Sequence, residues 1–134
     1  MFFSRVNVLI LSLLMLILPG LMGCTSEAGN DVQVPKAHQD YITSYNWHVE
    51  KRIDSILHEK GFYNGERLTL LKSVGLDITP YTDSQIKEFI YLLRERQEHG
   101  KIYFHIYEVN DKIIGARLVY EGYSPGMVSL RKNE

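Results

Sequence analysis

Cysteine is nearly absent from this sequence of 134 residues, which contains only one, Cys24. A single cysteine excludes a disulfide within the chain, and it excludes the cysteine clusters that hold structural zinc. The folded part of the chain must therefore be stabilised by its hydrophobic core and its hydrogen bonds.

Blocks of one charge sign are missing as well. The 15 basic and 16 acidic residues give a formal net charge of −1. Mixed-sign runs such as Glu50-Lys51-Arg52 are typical of a solvated face. A nucleic-acid-binding surface needs a concentration of lysine and arginine. We therefore expect no nucleic-acid partner.

One hydrophobic run is present, close to the first residue of the chain. Val8 to Leu18 follows Arg5, is apolar except for Ser12, and is ended by Pro19-Gly20. A helix that crosses a bilayer needs about 20 apolar residues. The run therefore has the length of a secretory signal peptide rather than a membrane span.

The tetrapeptide Leu21-Met22-Gly23-Cys24 resembles the bacterial lipobox, in which a small residue precedes an invariant cysteine. The resemblance implies that residues 1–23 are a signal peptide cut before Cys24. It also implies that Cys24 carries a diacylglycerol thioether and acyl chains such as palmitate. Two or three chains on one residue anchor a protein stably, whereas one chain gives marginal binding. The resemblance thus predicts a lipoprotein on the extracytoplasmic face of the bacterial cell membrane.

The rest of the chain divides into a tether and one domain. Residues 24–37 are small and polar without apolar periodicity, which predicts a flexible tether. Residues 38–134 are sufficient for one small domain with one modest core.

Apolar spacing predicts one main helix over Glu66 to Val74. Leu68, Leu71 and Val74 recur every three residues, so they lie on one side of a helix. Gly75 then supplies the left-handed residue that commonly ends a helix.

Alternation predicts the strands. Ile102 to Val109 alternates between apolar and mixed residues, and Ile113 to Glu121 returns as its hairpin partner. Two segments remain open between strand and helix. Val49 to Glu59 fits either, and Ile86 to Leu93 fits either with a preference for strand because of its aromatic and β-branched residues.

The hairpin register decides which side chains share a face. A three-residue loop, Asn110-Asp111-Lys112, places Ile106 opposite Ala116 and Phe104 opposite Leu118, and this keeps one face apolar. The opposite face then holds Tyr103, His105, Tyr107 and Arg117. We expect these four residues to form an outward strip that is the candidate contact surface.

Together these elements predict an α+β fold: an antiparallel sheet of about four strands with one main helix on one face, a cystatin-like layout. The order of Trp47-His48-Val49, the helix, Gly75-Leu76-Asp77-Ile78 and Ile113-Ile114-Gly115 also resembles an uncharacterised family of small bacterial lipoproteins. The resemblance covers about Tyr41 to Leu130. Because that family has no assigned activity, it implies the fold and the lipoprotein class only.

Residues that could carry chemistry are few and scattered. Ser84-Gln85-Ile86-Lys87 matches the Ser-x-x-Lys pattern of penicillin-recognising enzymes, but the companion motifs are missing. The 5 histidines lack metal-ligand spacing, so we expect no metal and no other cofactor. His105 with Glu108 or Asp111 is a base with an orienting carboxylate at most.

The sequence therefore favours a binding domain over an enzyme. We expect a non-catalytic, lipid-anchored envelope protein that binds a protein, peptide or glycan, because exposed tyrosines combine an apolar ring with a polar tip. The alternative is a small envelope hydrolase that uses His105 or Ser84.

Overall fold

The computed structural model describes residues 33–123 and 126–130. The signal peptide and lipid-bearing Cys24 expected from the sequence, and the tether as far as residue 32, lie outside these residues. Within the described ranges, no helix has both the length and the apolar character needed to cross a bilayer.

The described residues form two helices, a short 3₁₀ turn and five strands. In chain order they are α1 (Lys36–Ser44), β1 (Val49–His58), α2 (Gly65–Ser73), the turn Thr79–Tyr81, β2 (Ile86–Gln97), β3 (Gly100–Val109), β4 (Lys112–Tyr120) and β5 (Met127–Val128). The predicted helix at residues 66–74 is confirmed within one residue, and Gly75 has the expected positive φ of 84°. Both segments that the sequence left open are strands.

All five strands belong to one antiparallel sheet in the order β1-β2-β3-β4-β5. The predicted α+β fold with one main helix on a cystatin-like sheet is wrong, because the sheet dominates and the two helices have only 9 residues each. The physical reason is that the central strands carry apolar residues on both faces. One helix cannot cover two faces.

The first face of the sheet, defined by Phe89, Tyr91, Phe104 and Ile106, is covered by α1. Ile42 of α1 belongs to the same buried cluster as these four side chains. His38 also anchors α1. It is 1% exposed, its Nδ1 lies 2.5 Å from the Tyr91 hydroxyl, and its Nε2 contacts the Glu108 carboxylate.

The second face, defined by Glu88, His105 and Tyr107, is partly covered by α2 and the segment after it. Leu71, Leu76 and Ile78 share a buried cluster with Tyr107 and Val109. Gly115 of β4 allows the closest approach, because a Cβ atom at this position would lie 2.2 Å from Leu76 Cδ1.

The predicted pairing of β3 and β4 is confirmed, but the predicted turn is not. Ile106 pairs with Ala116 and Phe104 with Leu118. The loop, however, contains only Asn110 and Asp111, with φ of 48° and 61° as a type I′ hairpin turn requires. A bulge at Ile114 then shifts the register by one residue, because Glu108 pairs with Ile113 and Tyr107 with Gly115.

Candidate functional site

A buried carboxylate, Glu88, lies on the second face of the sheet. It is 5% exposed and follows Ile86 on the same face of β2. A buried charge is costly unless it is paired and hydrogen-bonded. The structure supplies donors to Glu88 from the elements on both sides of β2.

Five side chains contact the Glu88 carboxylate. One oxygen, Oε2, lies 2.7 Å from His58 Nε2 and 3.3 Å from the Tyr63 hydroxyl. The other, Oε1, lies 2.6 Å from His105 Nδ1, 2.9 Å from the Tyr107 hydroxyl and 3.5 Å from Arg117 Nη2. These residues, Glu88, His58, Tyr63, His105, Tyr107 and Arg117, are called the Glu88 centre below.

Adjacent strands bring the Glu88 centre together. His58 comes from the end of β1, Glu88 from β2, His105 and Tyr107 from β3, and Arg117 from β4. His105 and Arg117 are direct register partners. Residues directly opposite each other on an antiparallel pair have Cβ atoms about 5 Å apart, so a row across the sheet places these side chains in contact.

The hydrogen bonds decide the ionisation of Glu88. Burial by itself raises the pKa of this carboxyl, but hydrogen bonds from His105, His58 and Tyr107 outweigh burial and hold the pKa well below its usual range. An ionised carboxylate only accepts hydrogen bonds. The ring nitrogen that each histidine turns towards Glu88 therefore carries the hydrogen.

Burial also acts on the groups around Glu88. It raises the pKa of the Tyr63 and Tyr107 hydroxyls, so both stay protonated as donors. For His105, burial lowers the pKa more than the bond to Glu88 raises it. Arg117 Nε donates to the Tyr107 oxygen at 2.6 Å, which links the guanidinium to the carboxylate through the phenol.

The four residues of the predicted contact surface do share one face, but their exposure was predicted wrongly. Tyr107 is fully buried, and only 12% of the His105 side chain and 14% of the Arg117 side chain are exposed. Tyr103 is half-buried. The reason is that the second face is not bare, because α2 and residues 76–78 pack on the Tyr107 end of it.

Sequence reasoning missed Glu88, His58 and Tyr63. A signal for Glu88 was present, because strand alternation from Ile86 places this carboxylate on an apolar face with Ile90. No comparable signal identified His58 or Tyr63. Their contacts with Glu88 span 30 and 25 residues.

The Ser-x-x-Lys pattern forms no site of the expected kind. Ser84 lies in a turn, and its backbone N–H bonds to the Tyr81 carbonyl. Lys87 lies in β2, with its ammonium 4.9 Å from the centre of the Phe89 ring on the first face. In the described ranges, no three His, Cys, Asp or Glu side chains are arranged to hold a metal ion.

Comparisons of the chain with protein-family models, curated proteins and solved structures find no match. The resemblance to small bacterial lipoproteins therefore stays a prediction. The two features of the described residues that bear on function are the Glu88 centre and β1, which lies at the edge of the sheet.

Proposed function

We propose that this chain is a non-catalytic, lipid-anchored protein of the bacterial cell envelope that binds an extended protein segment by strand addition at β1. Strand addition uses the backbone groups along an exposed sheet edge for affinity and flanking side chains for specificity. The observation that carries the proposal is that β1 is an edge strand with exposed aliphatic side chains.

The edge of β1 is most regular over Asp54 to His58, where five consecutive residues pair with β2 without interruption. Irregularities between Val49 and Lys51 and between Arg52 and Asp54 disturb the first half of the strand. Such bulges protect an edge from further pairing. The second half is therefore the part of β1 suited to accept a strand.

Exposed apolar side chains flank this regular edge. Ile53 is 47% exposed, Ile56 37% and Leu57 55%. Ile56 pairs with Glu88 on the second face, and Leu57 pairs with Lys87 on the first. A segment added beside them gains apolar contacts on both faces when it carries consecutive β-branched residues.

The membrane anchor of the proposal rests on Cys24 and its lipobox-like neighbours. A thioether to a lipid requires sulfur, so Cys24→Ser is expected to abolish incorporation of labelled palmitate and to leave an uncleaved precursor. Normal labelling and cleavage of the Cys24→Ser protein would contradict the lipid anchor without bearing on strand addition.

The strand-addition proposal is tested on an array of overlapping peptides from envelope proteins of the same cell. Peptides with β-branched runs are expected to bind and to shift the backbone amide signals of residues 54–58. Ile53→Lys/Leu57→Lys should abolish binding. Leu70→Lys, at a 43% exposed position of α2, is the matched control and should bind normally.

Two outcomes would contradict strand addition. Peptides that bind equally well to the double variant do not use β1. The wild-type protein could instead form a concentration-dependent dimer and bind no peptide, while the double variant stays monomeric. That result would assign the edge to a second copy of this chain.

The hydrolase alternative has support at one of its two residues. His105 lies against a buried carboxylate, as a general base does. Ser84 is not among the residues that contact His105 or Glu88 in the described part of the chain. A nucleophile next to the base is the element that this alternative does not have.

A further inference from the structure

Asp54 is the one carboxylate of the regular edge of β1, which runs from Asp54 to His58. The residue is exposed. Its Oδ1 atom accepts a hydrogen bond of 2.7 Å from the backbone N–H of Ser55. This bond holds the carboxylate beside the backbone of the edge strand, where an added segment would lie.

The protein leaves the charge of Asp54 without a counter-charge. Among the described residues, Glu50 forms an ion pair with Arg96 and Glu88 with Arg117, but Asp54 forms none. Residues directly opposite each other on two antiparallel strands have Cβ atoms about 5 Å apart. Opposite charges at such a position attract, and like charges repel. The charge of Asp54 therefore discriminates between segments that pair with β1.

The apolar contacts of the same edge lie at fixed distances from Asp54. Ile56 shares the second face with it, two residues further along β1, and Leu57 lies on the first face. Side chains alternate between the faces of a sheet along each strand. A segment paired with this edge thus meets two adjacent apolar positions, then Ser55, and then the carboxylate.

Phe62 extends the apolar end of this edge. The residue is exposed, and its ring is stacked on the ring of His58 with centroids 4.3 Å apart. The edge is therefore asymmetric, with an aromatic ring beside its last residue and a negative charge at its first. Apolar residues of a bound segment fit the His58 end, and a cation fits the Asp54 end.

We infer that the segment bound at β1 carries two adjacent β-branched residues, one spacer and then a lysine or arginine, in this order from its N-terminus. The inference rests on strand addition at β1, the function proposed above. In antiparallel pairing, the β-branched residues lie opposite Leu57 and Ile56, and the cation lies opposite Asp54. The strands of this sheet all pair in that sense, which is slightly more stable per residue than parallel pairing.

The test measures the affinity of four short synthetic peptides for the full chain in detergent, by fluorescence anisotropy. Three contain Val-Ile-Thr followed by Lys, Gln or Glu, and the fourth contains Lys-Thr-Ile-Val. The first peptide should bind about fivefold more tightly than the one with Glu, with the Gln peptide between them. High salt should reduce this preference, because exposed charges are screened.

Substitutions at Asp54 assign the preference to this residue. Asp54→Lys should reverse the preference, so that the Glu peptide binds most tightly. Asp54→Asn keeps an acceptor for the Ser55 N–H without the charge, and it should abolish the preference. Glu98→Lys is the matched control, because it makes the same change of charge at a side chain that is 85% exposed in the β2–β3 turn. Thermal melting shows which variants fold, and the wild-type comparison decides the proposal without them.

Failure of this inference is distinguishable from failure of strand addition. Lys and Glu peptides that shift the backbone amide signals of residues 54–58 and bind equally well would overturn the charge preference alone. Equal effects of Asp54→Lys and Glu98→Lys would also overturn it, since they would reflect net charge. Tighter binding of the reversed peptide would contradict the proposed order of residues. If no peptide shifts these signals, strand addition fails, and the inference fails with it.

Discussion

The Nε2 atom of His58 lies 2.7 Å from a carboxylate oxygen of Glu88, although 30 residues separate the two in the chain. The contact ties the end of edge strand β1 to its neighbour β2, just where the connection through α2 leaves the sheet. A hydrogen bond to a charged group stabilises a protein by about 1.5–3 kcal/mol. The Glu88 centre therefore has a structural role whatever it binds.

Glu88→Gln is expected to lower the free energy of unfolding by about 3 kcal/mol, because five donors then face a neutral amide in place of a carboxylate. Urea unfolding at neutral pH measures the change. Glu98→Gln, at an exposed position in the β2–β3 turn, should stay within about 0.5 kcal/mol of the wild type. Equal effects of the two substitutions would contradict a stabilising role for Glu88.

The free energy of unfolding should rise with pH between about 5 and 7. Burial holds the pKa of His105 below its ordinary value of about 6.5. The unfolded chain therefore takes up the proton first, and stability from this group is complete above that value and lost as pH falls. Glu88 acts in the same direction at lower pH, since its depressed pKa stabilises the fold above about pH 4.3.

Urea unfolding across this pH range checks the prediction for His105. His105→Asn should flatten the curve, whereas His99→Asn, at a side chain that is 63% exposed, should leave its slope unchanged. Stability that falls as pH rises from about 5 to 7 would show that the folded protein raises the pKa of its histidines instead.

Leu71→Asp is expected to unfold the protein or to cost at least about 3 kcal/mol, because Leu71 is 3% exposed in the cluster beneath α2. Leu70→Asp is a control on the same helix, since Leu70 is 43% exposed. Circular dichroism and thermal melting compare the two variants. A stable Leu71→Asp protein would mean that α2 does not pack on the sheet.

Gly115→Ala should destabilise the fold by about 1 kcal/mol, because the added methyl group meets Leu76 Cδ1 at 2.2 Å. The end of the leucine side chain can move, so the cost is moderate. Combining it with Leu76→Ala removes the clash, and the double variant should lose less stability than the two single effects added together. Strict additivity would show that the two residues do not touch.

The sequence predicted the pairing of individual strands better than it predicted the proportion of sheet to helix in the fold. Alternation in β3 and β4 identified the hairpin and its pairing, since only that pairing keeps Phe104 and Ile106 opposite apolar partners. The same register arises from a shorter loop and a bulge at Ile114, which side-chain alternation cannot distinguish from a longer loop. Positive φ at Asn110 and Asp111 is the local feature that decides between them.

The exposure of side chains on the second face could not be predicted from the sequence, because it depends on packing between residues that are far apart in the chain. Tyr103, His105 and Tyr107 read as an outward polar strip when only the hairpin is considered. Tyr107 is buried by residues 63–78, and Tyr107 and His105 both contact the buried carboxylate of Glu88. A carboxylate on an apolar stripe was the sequence signal for such a centre.

The sheet order, identical to the chain order, has a consequence for the route by which the protein folds. β2, β3 and β4 are joined by tight turns and can pair early, whereas β1 must close the long connection of residues 59–85 before it reaches β2. We expect β1 to dock last. Substitutions in the β3–β4 hairpin should then slow refolding, while substitutions at His58 should mainly accelerate unfolding. In an early intermediate, Glu88 would be hydrogen-bonded only by side chains of β3 and β4. Tyr63 and His58 would add the remaining hydrogen bonds when the connection closes and β1 docks.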